Sequence, residues 1–142
     1  MKEEIIRIKT ELTEAIQNRD AAKANDFYAD NSVLFLLAPP LLESNNLGIK
    51  GLNNLSLWFD TWESNIGLEF KEVMIQIDGN VAYFASLEHL FGQRKDGSYT
   101  DTWYRETLCF SRIGNKWKIV HQHQSFPMLM DGSGKAATNL LP

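Results

Sequence analysis

A single cysteine, Cys109, stands in 142 residues, so no disulfide within the chain can hold it together. One thiol and no pairing framework fit a reducing compartment, and the expected location is cytoplasmic. Basic residues are in deficit: Lys and Arg total 14 against 18 Asp and Glu, a net charge of −4. Nucleic acid and anionic membrane surfaces demand clustered cations, so neither is an expected partner. No stretch approaches the roughly 20 consecutive apolar residues of a membrane span, and the first residues, Lys2-Glu3-Glu4, are not an apolar leader. Repeats and low-complexity segments are also missing, and no cofactor-binding motif stands out.

What is present suits one domain, residues 1–142, long enough to bury a continuous core. Ile5, Ile8, Leu12, Ala15 and Ile16 recur at helical spacing, predicting an amphipathic helix that ends near Asn18. Asp20 is positioned to cap a short second helix carrying Ala24, Phe27 and Tyr28. Asn31-Ser32 reads as a turn before a buried strand, Val33 to Leu37, which Ala38-Pro39-Pro40 breaks because proline cannot donate to a ladder. Glu43 to Gly51 reads as loop, and Leu52, Leu55, Trp58, Phe59 and Trp62 give a third helical stripe.

Beyond Gly67 the pattern becomes antiparallel sheet: Leu68 to Ile77, Val81 to Gly92, Thr100 to Arg112, and a last strand after Gly114-Asn115. The apolar phase slips between Phe70 and Val73, which predicts a bulge. Residues 131–142, rich in Gly, Ser and Ala, are expected to be a poorly ordered tail. Helices first and long hairpins afterwards define an α+β domain, with three N-terminal helices packed on a curved, mostly antiparallel sheet shaped like a cone.

The last strand, Trp117 to Ser125, draws attention because strand side chains alternate faces. If regular, it sets Trp117, Ile119, His121, His123 and Ser125 on one side, an apolar base running into polar groups. His123, as a histidine, suits proton transfer near neutral pH, with Ser125 as its hydrogen-bond partner. His121 and His123, with His89 from another strand, form a weak zinc-like pattern. Hydrogen-bonding roles outweigh it, and no metal is expected. Arg105 between Trp103 and Thr107 needs a partner if buried, either a ligand carboxylate or Glu88 or Asp101. Glu106 points away from Arg105 on a regular strand.

Trp58, Trp62, Trp103, Phe35 and Tyr83 are aromatic candidates for a ligand pocket, although each also serves as ordinary core. Met128, Leu129 and Met130 follow Pro127 as a candidate lid or partner contact. Tyr104, Leu108 and Phe110 occupy a face that no helix in the pattern obviously covers, which suggests an interface.

The motifs Ala38-Pro39-Pro40-Leu41, Trp103-x-Arg105-x-Thr107 and Trp117-x-Ile119-Val120-His121-x-His123-x-Ser125, with the order of elements, resemble the SnoaL-like branch of the nuclear-transport-factor-2-like superfamily. Relatives in that superfamily include ketosteroid isomerases, polyketide cyclases, epoxide hydrolases and the non-catalytic association domain of a calmodulin-dependent kinase. The resemblance implies a cone with a pocket at its mouth and a homodimer formed through the sheet. Phe27-Tyr28-Ala29-Asp30-Asn31 is similar to the isomerases, yet the position of their catalytic Asp is here Leu36, which cannot carry a proton. Their oxyanion acid aligns with Glu106.

The expected function is therefore binding, and conversion if it is an enzyme, of a small hydrophobic molecule with a carbonyl or carboxylate. The alternative is a non-catalytic assembly module. His123, Arg105 and Glu106 are the candidate catalytic residues. Phe35, Pro40, Trp58, Trp62, Tyr83, Trp103, His121, Ser125 and Met128 are the candidate ligand contacts.

Overall fold

The structure, a computed structural model, describes residues 1–44 and 48–142. Its elements run α1 (Lys2–Gln17), α2 (Ala21–Asp26), β1 (Tyr28–Phe35), β2 (Glu43–Ser44), α3 (Gly48–Phe59), β3 (Gly67–Asp78), β4 (Val81–Gln93), β5 (Tyr99–Ile113) and β6 (Lys116–Ser125). The strands form one six-stranded sheet in the order β2-β1-β6-β5-β4-β3. Among the described residues, only β1 and β6 pair in parallel. Among the described residues no helix is long and apolar enough to cross a membrane.

Both N-terminal helices follow from local chemistry. α1 buries Ile5, Ile8, Leu12 and Ala15, a stripe at helical period. Its C-cap is Asn18, and Asp20 caps α2 by accepting from the Lys23 amide, as its side chain predicts. α3 begins at Gly48, inside the span read as loop, and Glu43–Ser44 pairs with β1 as the edge strand β2. Asn45, Asn46 and Leu47, also in that expected loop, lie outside the described residues, as does the side chain of Leu52.

The first strand differs from expectation. It starts at Tyr28 and passes straight through Asn31 and Ser32, with a register shift against β6 between Tyr28 and Val33. Pairing with an existing strand overrides the turn preference of the Asn-Ser dipeptide. It ends at Phe35, one residue before Leu36.

Two bulges decide which side chains face the helices. In β3 the pairing jumps from Lys71↔Leu87 to Met74↔Ala85, and Glu72 adopts a left-handed φ of 56°. This falls where the apolar phase slips, and it lets Phe70 and then Ile75 and Ile77 pack on the same core. The second bulge has a larger effect. Phe110 pairs with Ile119 but Cys109 pairs with His121, so Val120 is the extra residue on β6. Trp117 and Ile119 point into the core before it, Gln122 and Gln124 point inward after it, and His121, His123 and Ser125 turn to the other face. The single-face alternation expected from Trp117 to Ser125 is corrected by this one inserted residue.

The helices cover the face that carries Ala82, Phe84, Leu108 and Phe110, and Tyr104 packs there in a second cluster with Phe59, Trp62 and Leu90. The expectation that Tyr104, Leu108 and Phe110 form an uncovered surface is therefore reversed. The opposite face, with Tyr83, Leu87, Trp103 and Arg105, is the open one. The C-terminal segment forms a small hairpin: Met128 bridges Ala136, the Ala137 amide donates to the Pro127 carbonyl, and Thr102 donates to the Thr138 carbonyl.

Candidate functional site

Beneath α1 the core is not apolar throughout. Lys9, one residue after Ile8 on the buried stripe, is only 2% exposed, and it meets two glutamates that are 1% and 5% exposed, Glu88 of β4 and Glu106 of β5. Its Nζ donates to Glu88 Oε1 at 2.5 Å and to Glu106 Oε1 at 2.9 Å. The other carboxylate oxygens are held by the sheet itself. Ser86 Oγ donates to Glu88 Oε2 at 2.7 Å, and the amides of Gln122 and Gln124 both donate to Glu106 Oε2 at 2.8 Å. The Tyr28 hydroxyl donates to Gln122 Oε1 at 2.7 Å, extending the network to β1. The rings of Phe70 and Phe84 stand 5.1 and 5.9 Å from the ammonium.

Such a network pairs its buried charges, as a buried charge is tolerated only when paired and hydrogen-bonded. It also drives the two carboxyls apart in acidity. Burial and the neighbouring charge of Glu106 push Glu88 up to about 7, more than Lys9 and Ser86 offset. Burial would raise Glu106 as well, but the Lys9 charge and the Gln124, Lys9 and Gln122 hydrogen bonds outweigh it and hold it below the usual carboxylate range. Burial alone would lower Lys9; the charges of Glu106 and Glu88 overcome that and raise it, so it stays an ammonium. One acid poised at neutrality beside one fixed anion is the pattern that acid–base sites use.

The structure thus separates the residues that the sequence nominates. Glu106 is in the buried network. Arg105 lies on the open face, exposed, with Nε donating to Ser125 Oγ at 3.1 Å. The expected partners Glu88 and Asp101 are engaged elsewhere, Glu88 with Lys9 and Asp101 with His89 Nε2 at 2.7 Å. His123 is on the same open face, its ring edge-on to Phe35, and His121 also contacts Phe35 while its Nδ1 donates to the Val33 carbonyl at 2.7 Å. Hence Arg105 and His123 do not share a cavity with Glu106.

The aromatics divide likewise. Trp58 and Trp62 meet edge to face in the second core cluster. Trp103 stacks on His89 at 4.6 Å on the open face, and the Tyr83 hydroxyl reaches Met74 there. Pro40 is exposed beyond β1 in a cis peptide with Pro39, and Met128 is exposed at the start of the terminal hairpin.

Sequence reasoning did not find Lys9, Glu88 as a member of this site, Ser86, Gln122 or Gln124. The signal for Lys9 was available: the apolar positions Ile5, Ile8, Leu12 and Ala15 of α1 bracket it, so its side chain lies at the edge of the buried stripe.

A six-stranded sheet with helices on one face is the α+β fold that this chain shares with NTF2-like structures. The chain belongs to the SnoaL-like domain family, whose model matches residues 5–129. Among curated proteins none matches it in sequence. In structure it is similar to an NTF2-like protein of unknown function from Pseudomonas putida KT2440, with TM-score 0.84, 20% identity, and coverage of 99% of this chain and 95% of that one. It is also similar to a ketosteroid isomerase-like protein from Erwinia carotovora atroseptica (TM-score 0.70, 21% identity, covering 86% and 92%). The association domain of C. elegans CaMKII is similar as well, with TM-score 0.68, 20% identity and coverage of 87% and 94%. At these identities the likeness is one of fold.

Proposed function

We propose that the protein binds a small, neutral, hydrophobic carbonyl compound beneath α1 and moves a proton within it. The observation that carries this reading is the pair Glu88 and Glu106, bridged by Lys9 and driven apart in acidity. Glu88 is the proton carrier, because a group titrating near the working pH maximises both the needed protonation state and the driving force for transfer. Glu106 is the fixed charge that raises Glu88 and anchors Lys9. A ligand carboxylate fits poorly, since it would bring a further negative charge next to two carboxyl groups and one ammonium. Phe70 and Phe84 supply apolar walls for the carbon skeleton. Leu36, at the isomerase base position, lies beyond the end of β1 and takes no part.

Arg105, His121, His123 and Ser125 belong in this reading to a second surface. The open face carries Tyr83, Leu87, Phe91 and Trp103, and it supports the formation of a homodimer sheet to sheet.

The experiment is hydrogen–deuterium exchange at the carbon beside the carbonyl, in heavy water, for a panel of neutral cyclic ketones. The wild type is expected to accelerate exchange of at least one member by about 10²-fold or more over buffer, with Glu88→Gln returning it to the buffer rate. A wild type that accelerates none between pH 6 and 8, and whose melting temperature no ketone raises, would overturn the proposal.

A further inference from the structure

An ammonium has three N–H donors. Two of those on Lys9 go to Glu88 and Glu106, and among the described residues no third acceptor lies within hydrogen-bond distance. The rings of Phe70 and Phe84 also stand near the ammonium, and they compete weakly for a donor. Phe70 is half-buried and Phe84 fully buried.

The carboxylates, for their part, are oriented without the lysine. Ser86, Gln122 and Gln124, all from the sheet, fix their second oxygens. The cation comes from a separate element, 79 and 97 residues away in sequence. A buried ion pair stabilises a fold little more than apolar side chains of the same volume would, so packing alone gives α1 no reason to carry a charge here.

We propose that Lys9 is a second catalytic residue beside Glu88, whose free N–H binds the carbonyl oxygen of the ligand and holds the negative charge that gathers there. This rests on the proton-transfer reading above. In the forward step the Glu88 carboxylate takes the proton from the carbon beside the carbonyl. The C–H electron pair becomes the new C=C bond, and the carbonyl π pair moves to oxygen as an enolate hydrogen-bonded to Lys9. In the return step Glu88 gives the proton back, to the same carbon or to a conjugated one, and the oxygen again becomes a carbonyl. Lys9 keeps its own proton throughout, because the Glu106 carboxylate stays beside it and favours its charged form. A preformed cation at a developing oxyanion costs no reorganisation when the charge appears.

The test uses the ketone that the wild type exchanges, with its carbonyl carbon labelled with ¹³C. Lys9→Met is expected to slow exchange by about 10²–10³-fold, the usual loss when one oxyanion donor is removed. In Lys9→Ala, n-propylammonium replaces the three missing carbons and the nitrogen, and it is expected to restore exchange saturably where 1-propanol does not. The bound carbonyl resonance is expected downfield of its free position in the wild type and not in Lys9→Met.

If Lys9→Met alone fails to fold, the double variant Lys9→Met/Glu106→Gln removes the fixed charges of both signs, leaves Glu88 to stay protonated in its buried site, and serves for the resonance measurement. Exchange within threefold of wild type in Lys9→Met, or an equal carbonyl shift with and without the ammonium, overturns the role of Lys9. A wild type that neither exchanges nor binds any ketone overturns the proton-transfer reading together with it.

Discussion

Glu88 holds a proton up to about pH 7 because burial and Glu106 both disfavour its charge, while a carboxyl in the unfolded chain titrates near 4.5. Between those values the folded state binds a proton that the unfolded state has released. The contribution of Glu88 to stability is therefore complete below pH 4.5 and is lost as the pH rises through 7. Glu106 runs the other way: its acidity is strengthened, so its contribution is present above 4.5 and is lost as the pH falls through its lower folded value. Denaturation midpoints across pH 5–8 should show the wild type losing stability relative to Glu88→Gln, by on the order of a few kcal/mol. A difference that stays constant over that range would show that Glu88 does not titrate as the site requires.

At the scale of elements, the chain depends on small departures from regular strands. Gly92, near the end of β4, has φ +146°, and a Cβ there would lie 3.0 Å from Cζ3 and 3.2 Å from Cε3 of Trp62. Trp62 is fully buried in the second core cluster and cannot easily move. Gly79 in the β3–β4 turn has φ +59° but open space around it. Gly92→Ala is expected to cost about 2–4 kcal/mol, combining backbone strain with overpacking, and Gly79→Ala about 1–2 kcal/mol from strain alone. Urea midpoints of the two variants check this; equal losses would mean that Trp62 yields freely. The bulge at Val120 works by the same geometry, since one extra residue exchanges the faces of everything after it.

For the whole molecule, the sheet face that carries Tyr83, Leu87, Trp103 and Arg105 is one that no helix covers among the described residues. Six strands about 4.8 Å apart, paired over roughly eight residues, present an area of roughly 600–700 Å² per copy, close to the ~800 Å² each partner contributes to a standard interface. Leu87 lies on this face, half-buried, paired across the ladder with Arg105. Light scattering on a sizing column should give the wild type twice the mass of one chain, and Leu87→Arg the mass of one. A wild type running as a single chain at tens of micromolar would sink the homodimer.

The sequence by itself determined the helical stripe of α1, the cap at Asp20, the bulge in β3 and the succession of long hairpins. Each of these is set by neighbours along the chain, through period, turn chemistry and side-chain capping. It also pointed to the family, because the order of elements and the strand motifs are local. Which face of the sheet each group occupies was decided only by the tertiary structure. The bulge at Val120 arises from pairing between β5 and β6, and no local preference at Val120 announces it. The meeting of Lys9 with Glu88 and Glu106 spans 79 and 97 residues. Only packing of α1 on the sheet makes those three charges neighbours, and only their shared burial divides the two carboxyls into an acid and an anion.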